Sequence, residues 1–180
     1  MLERLSAWQS FYVMLGSSAA ALIGLQFVVL TLLANTRRRA SAASIAAFGT
    51  PTVVQLGGAL VLSAVMSAPW PSLLAVSVVL GTCGAAGLGY GTVILYRIRH
   101  QKAYVPEGED WFWYVIAPPL VYAALTVAAL ALRAAPNVAL FVVGGAALGL
   151  LALGIHNSWD AVTYHVVHST NQADTETKEF

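Results

Sequence analysis

An uncharged stretch near the N-terminus limits most strongly what this chain can fold into. Residues 9–36 contain no charged side chain, and Arg37-Arg38-Arg39 follows directly after them. About 20 apolar residues, each rising about 1.5 Å in an α-helix, cross the hydrocarbon core of a bilayer. We therefore expect a membrane-spanning helix with its N-terminus outside and the three arginines inside, because Lys and Arg are retained on the cytoplasmic side.

The rest of the sequence repeats this pattern of long apolar runs. Only 9% of the 180 residues are charged, whereas a soluble domain carries about a quarter. We predict an all-α integral membrane protein with one transmembrane domain, residues 1–168, and five spans. The predicted spans cover residues 8–34, 45–68, 72–96, 111–132 and 138–155. A short interfacial or cytoplasmic helix over 156–168 and a disordered polar tail over 169–180 are expected to follow.

The distribution of basic residues agrees with five spans and with termini on opposite sides of the membrane. The segments predicted to lie inside hold Arg37, Arg38, Arg39, Arg97, Arg99, Lys102 and Lys178. The segments predicted to lie outside hold only Arg4 and Arg133. This asymmetry follows the positive-inside rule and predicts a cytoplasmic C-terminus. We expect a multi-pass protein of the cell membrane, either a plasma or an inner membrane.

Neutral polar side chains occur within the predicted spans, whereas no charged residue or histidine lies near the middle of any span. The lack of ionisable groups argues against proton relays, ion-coupled transport and voltage sensing. The candidates for lining a polar path are Gln26, Thr31, Asn35, Thr52, Gln55 and Ser63. Three of these, Thr52, Gln55 and Ser63, share one helical face, so Gln55 must face another helix or water. Both an interhelical hydrogen bond and a water-filled path fit this pattern.

Small residues recur at four-residue or seven-residue spacing on several spans. The stripes in the first span are Gly16, Ala20 and Gly24 at four-residue spacing, and Ser17, Gly24 and Thr31 at seven-residue spacing. The others are Gly87 and Gly91 in the third span, and Gly145 and Gly149 in the fifth. Small residues let helix backbones approach closely in lipid, where no hydrophobic force drives helices together. The stripes therefore predict close helix contacts, either within the chain or between chains.

Histidines concentrate at the end of the fifth span. The candidate residues there are His156, Asp160, His165 and His168. If the helix continues, His156 and Asp160 lie on the face of Gly145 and Gly149. Three interpretations stay open for these four residues. They are an interfacial helix facing water, a gating or pH-sensing contact, and a weakly indicated metal site, because closed zinc sites usually group Cys and His more tightly.

The first functional hypothesis is a homo-oligomeric channel or pore-like transport protein for a small ion or solute. It rests on a chain that lies almost wholly in the membrane and has neutral polar faces. Five short spans enclose no wide pore alone, so several copies are expected to assemble. The hypothesis includes no cofactor and no catalytic residue. With a net charge of +1, the chain is not expected to bind nucleic acid.

Two alternatives come from different functional classes. One is a non-transporting interaction or regulatory subunit that joins a larger membrane complex through the same small-residue stripes. The other is a metal- or haem-dependent membrane oxidoreductase. Its candidate residues are His100, His156, Asp160, His165 and His168. The lipid bilayer is the one partner that all three hypotheses share.

Overall fold

Apolar helices make up almost all of the described backbone. A computed structural model describes residues 5–35, 50–100 and 111–176, without the side chains of 32–35, 97–100, 161 and 164–176. The helices are α1 (Gln9–Asn35), α2 (Thr50–Ser67), α3 (Leu73–His100), a π-helical turn (Trp111–Ile116) that leads into α4 (Ala117–Ala131), and α5 (Pro136–Glu176). The described ranges contain no strand. Helices suit lipid because each helix satisfies its own backbone N–H and C=O groups.

The prediction of an all-α protein with five membrane-spanning helices is confirmed at the level of helix length and composition. The described residues hold five helices that are long and apolar enough to cross a membrane. Their candidate spans are Gln9–Thr31, Thr50–Ser67, Leu73–Tyr96, Trp111–Ala131 and Pro136–Asp160. Residues 45–49 of the predicted second span lie outside the described ranges. The orientation of the chain and the identity of the membrane stay predictions.

The last helix of the chain is longer than the fifth span that we predicted. We predicted that the fifth span ends at residue 155, with a separate helix over 156–168 and disorder from residue 169. Instead α5 is one helix of 41 residues, and only residues 177–180 of the expected tail lie outside the description. No glycine or proline follows Gly154 within α5 to end it. At about 60 Å, α5 is roughly twice as long as the hydrocarbon core is thick.

Helix α5 lies at the centre of the bundle. It packs most extensively against α2 and α4, and less extensively against α1 and the π-helical turn. Helix α1 otherwise packs on α2, and α3 packs mainly on α4. The buried line of α5 runs through Val143, Ala147, Leu150, Gly154 and Asn157. Successive members of this line are three or four residues apart, as one face of a helix requires.

The prediction of which α5 face is packed holds only in part. A Cβ added at Gly149 would lie 3.4 Å from Val121 of α4, whereas Gly145 is exposed and a Cβ there would meet no described atom within 4 Å. The buried face contains Gly144 and Gly154 instead, where added Cβ atoms would collide with Trp8, directly before α1, and with Leu56 of α2. The packed face is therefore rotated about the helix axis from the predicted one, because these two glycines are the ones that receive neighbouring side chains.

The predicted glycine contact of the third span is confirmed. A Cβ at Gly87 would overlap the ring of Tyr122 in α4, and a Cβ at Gly91 would lie 3.2 Å from Pro119. Gly84 faces Thr126 of α4 in the same way. The absence of side chains along this face brings α3 and α4 together and lets the Tyr122 ring pack directly on the α3 backbone.

Candidate functional site

Neutral polar side chains from four helical segments meet at one end of the bundle. They are Gln26 of α1, Gln55 of α2, Tyr114 of the π-helical turn, and Asn157 and Ser158 of α5. We call these five residues the amide cluster. The cluster lies near the ends of the candidate spans of α1 and α5 and near the beginnings of the second and fourth spans. This end of the bundle is the one that the basic residues predict to be cytoplasmic.

The central contact of the amide cluster joins two buried side chains. Asn157 Nδ2 donates a hydrogen bond of 2.8 Å to Gln55 Oε1. The exposed fraction is 0% for Asn157 and 4% for Gln55, so the bond is shielded from water and lipid headgroups. The neighbouring contact between Gly154 and Leu56 brings α5 and α2 close enough for two amides to meet. Of the two interpretations of Gln55, the interhelical hydrogen bond is the one that the geometry matches.

Two further contacts link α5 to the rest of the cluster. Tyr114 Oη donates to the backbone oxygen of Asn157 over 3.5 Å, at the long limit of a hydrogen bond. Gln26 Nε2 donates to Ser158 Oγ, and Ser158 Oγ in turn donates to the backbone oxygen of Gly154 at 2.6 Å. Two consecutive residues of α5 therefore contact three other helical segments. Asn157 Oδ1 is buried and has no hydrogen-bond partner among the described residues.

The π-helical turn positions the aromatic side of this site. Pro118 and Pro119 follow the turn at the start of α4. Proline has no N–H, so the carbonyl groups one turn earlier receive no helical hydrogen bond from these positions. Single π turns occur where the regular ladder is interrupted in this way. The turn places Tyr114 against Asn157 and Trp113 against His156.

His156 lies at the rim of the site, beside the buried face. Its ring stacks on Trp113, with centroids 3.8 Å apart and ring planes at 28°. His156 Nε2 lies 3.1 Å from Asp160 Oδ2, but the atoms are not aligned as a hydrogen bond. The contact is an ion pair only when the imidazole is protonated. The side chains of His156 and Asp160 are 29% and 40% exposed, so solvent weakens this interaction. A gating or pH-sensing role for the two residues stays a prediction.

Protein-family models, curated proteins and solved structures were all compared with this chain, and none of them matches. The function must therefore be inferred from the contacts of the chain itself.

The described residues hold no group of three or more His, Cys, Asp and Glu side chains that could bind a metal ion. His156 and Asp160 are adjacent, but the side chains of His165 and His168 lie outside the description, as does that of His100. The metal or haem hypothesis therefore stays a prediction, and no geometry carries it further.

The residues predicted to line a polar path separate into different environments. Thr52 and Ser63 are buried with Gln55 on one face of α2, as their spacing predicts. A Cβ at Gly16 of α1 would lie 2.9 Å from Ser63 Cβ, so this face of α2 is packed against α1. Thr31 is exposed and its hydroxyl donates to the carbonyl group four residues earlier. The side chain of Asn35 lies outside the description. A role in a path stays a prediction for all of them.

Sequence reasoning did not assign a role to Asn157, Ser158, Tyr114 or Trp113. One signal for Asn157 is present in the sequence, because Val143, Leu150 and Asn157 follow each other at seven-residue spacing. The stripe that begins at Gly145 has similar spacing and similarly small residues. Periodicity alone therefore does not select one stripe as the packed face.

Proposed function

We propose that the protein is a non-transporting membrane subunit that associates with a larger membrane complex through the exposed face of α1. This is the second of the three hypotheses drawn from the sequence. The observation that carries it is an unpaired hydroxyl group at membrane depth, on Ser17. The arrangement of the other polar groups within the bundle supports it.

Several polar side chains inside the bundle make hydrogen bonds within the chain, although Tyr12 Oη and Asn157 Oδ1 are buried without a hydrogen-bond partner among the described residues. Gln55 bonds to Asn157, and Gln26 bonds to Ser158. Ser63 donates to a carbonyl group of its own helix and packs on α1. These groups leave little polar surface for a water-filled path through a single chain.

Ser17 differs from these groups in its surroundings. Its side chain is exposed and forms no hydrogen bond with any described residue. It lies eight residues after Gln9, where the first span begins, which is about 12 Å into the membrane. Lipid tails offer no hydrogen-bond partner, so a polar group of another protein would stabilise this hydroxyl. Ser18 is also exposed, but its Oγ donates to the Met14 carbonyl at 2.9 Å and is satisfied facing lipid.

The surface around Ser17 is suited to close contact with another helix. Ala21, Gly24 and Thr31 continue the same face at three-residue, four-residue or seven-residue steps, and all are exposed. A Cβ added at Gly24 would meet no described atom within 4 Å, so this face has no partner there among the described residues. A helix of the proposed complex would approach α1 closely along this face.

The homo-oligomeric channel is the second candidate function. The seven-residue spacing of Ser17, Gly24 and Thr31 favours it, because several α1 helices around one axis would direct these groups into a narrow path. The same face therefore serves two candidates, and they differ in whether the purified protein conducts by itself.

The test compares Ser17→Leu with Ser18→Leu, which changes the same residue type at the same depth on a different face of α1. Each tagged protein is purified from its native membrane, and the stoichiometry of co-purifying membrane proteins is measured. We expect one unrelated membrane protein at a fixed ratio with the native chain and with Ser18→Leu. Its recovery should fall about tenfold or more with Ser17→Leu, which corresponds to about 1.4 kcal/mol of binding free energy.

Liposomes containing only the purified native protein complete the test. The proposal expects solute flux no higher than in protein-free liposomes. Flux that is abolished by Ser17→Leu and kept by Ser18→Leu would favour the channel and contradict the proposal. Equal partner recovery with both variants would show that the α1 face is not the contact surface.

A further inference from the structure

A regular apolar stripe runs along the outer side of α5. Its members are Gly145, Leu148, Ala152, Ile155, Trp159 and Val162, which we call the α5 seam. They follow each other at alternating steps of three and four residues, and Val166 takes the next position of the same register. The first five are exposed, with exposed fractions of 51% for Leu148, 47% for Ile155 and 69% for Trp159. A seven-residue repeat of this kind is typical of helices that wrap around each other as a coiled coil.

Contact with lipid does not account for the whole of the α5 seam. The candidate membrane span of α5 ends at Asp160, but the repeat continues through Val162 to Val166. Beyond the span, α5 extends helically by 16 residues, from 161 to Glu176. An isolated helix of about this length is only marginally stable in water, so packing against another helix would support it.

A second copy of the chain presents the same surface in a compatible direction. Two copies with the same membrane orientation have parallel α5 helices at equal depth. Equivalent seam positions then face each other, so the surface is self-complementary. Small residues at Gly145 and Ala152 alternate with larger ones at Leu148 and Ile155. This alternation lets the helices approach while the larger side chains fill the spaces between them.

The charge and the size of the α5 seam are compatible with self-association. Gly149 and His156 flank the seam on one side, and Leu151 and Ser158 flank it on the other. No acidic side chain stands at these flanking positions, so identical faces do not oppose carboxylates. The largest member of the seam, Trp159, is 69% exposed, and an aromatic side chain buries about 150–250 Å² when it is fully covered at a contact.

We propose that two copies of this chain pack in parallel along the α5 seam, as a two-stranded coiled coil that begins in the membrane and continues beyond it. This self-association uses α5, whereas the contact in the proposed function uses α1. Each can therefore fail without the other.

The test uses disulfide formation between copies in a Cys83→Ser background, which removes the only cysteine of the chain. Ile155→Cys introduces a thiol in the seam, and Ile116→Cys is its matched control. Both isoleucines are 47% exposed. Ile116 lies five residues after the beginning of its candidate span and Ile155 five residues before the end of its own, so both lie at similar depth near the same side of the membrane. Equivalent seam positions in a parallel pair fall within the distance that a disulfide requires. After mild oxidation in liposomes, we expect at least about fivefold more covalent dimer with Ile155→Cys than with Ile116→Cys.

A measurement on the otherwise native chain guards against misfolded variants. The otherwise native protein carries one fluorescent protein fused at its N-terminus, and photobleaching steps are counted in dilute liposomes. Two steps per complex are expected. A single bleaching step per complex would overturn the proposal. Two steps together with equal crosslinking of Ile155→Cys and Ile116→Cys would also overturn it, because the copies would then associate through another surface.

Discussion

The buried hydrogen bond between Gln55 and Asn157 provides the sharpest test of how this bundle is held together. Gln55→Leu removes the acceptor of the Asn157 Nδ2 group. Asn157 is fully buried and its Oδ1 has no partner among the described residues, so the substitution leaves the side-chain amide without its known hydrogen bond. Leucine is apolar and has a volume similar to that of glutamine, so the substitution largely keeps the packing of position 55 inside the bundle.

The expected magnitude follows from the cost of an unpaired buried group. Leaving a buried donor unsatisfied costs about 1–3 kcal/mol, and interhelical hydrogen bonds within membranes contribute about 0.6–2 kcal/mol. We therefore expect Gln55→Leu and Asn157→Leu each to lower the free energy of unfolding by about 1–2 kcal/mol. The double variant leaves neither amide unpaired. Its loss should be smaller than the sum of the single losses by about 1 kcal/mol.

Reversible unfolding in mixed micelles measures these changes, with the fraction of denaturing detergent as the variable. Far-ultraviolet circular dichroism and tryptophan fluorescence report helix content and packing. Ser63→Ala combined with Asn157→Leu is the control cycle, because the Ser63 hydroxyl bonds within its own helix. The control losses should add within about 0.5 kcal/mol. If the losses from Gln55→Leu and Asn157→Leu add equally well, the two side chains are not energetically coupled and the reasoning is refuted.

Two glycine contacts provide further predictions that use the same unfolding assay. Gly154→Ala should lower the free energy of unfolding by about 1–3 kcal/mol, because the added Cβ collides with Leu56 of α2. Gly57→Ala places its Cβ in open space and should change the free energy of unfolding by less than about 0.5 kcal/mol. Gly87→Ala should lower the free energy of unfolding by about 1–3 kcal/mol, because the ring of Tyr122 must move to make room for the new methyl group. Gly89→Ala, which adds a methyl group in open space, should be nearly neutral. Equal stabilities within either pair would contradict the close helix contact at that position.

Much of the architecture follows from local sequence. A segment in lipid must satisfy its backbone hydrogen bonds internally, so length and hydropathy are enough to locate the helices. The end of α1 near Asn35 and the turn before α5 lie within a few residues of the predicted bounds. The packed face of α2 was also predictable, because Thr52, Gln55 and Ser63 are the polar residues between its two terminal residues and share one face.

The candidate site depended on tertiary contacts that local sequence does not encode. Helix α5 carries two small-residue stripes of similar spacing, and hydropathy does not distinguish them. The fit of Leu56 against Gly154 selects the rotation of α5, and that rotation buries Asn157 and leaves His156 at the rim. We placed the end of the fifth span at residue 155, although α5 is one helix to Glu176, because hydropathy marks where a span can end, while a helix continues until its backbone is interrupted.

The sequence by itself thus determined that the described chain is helical and suited to a membrane, because those properties depend on each segment alone. The tertiary structure decided which faces meet, because contact between helices depends on the fit of particular side chains. Asn157 and His156 are neighbours in sequence, but a rotation of about 100° between consecutive residues separates their side chains. One therefore bonds to Gln55 inside the bundle, and the other stacks on Trp113 at its edge.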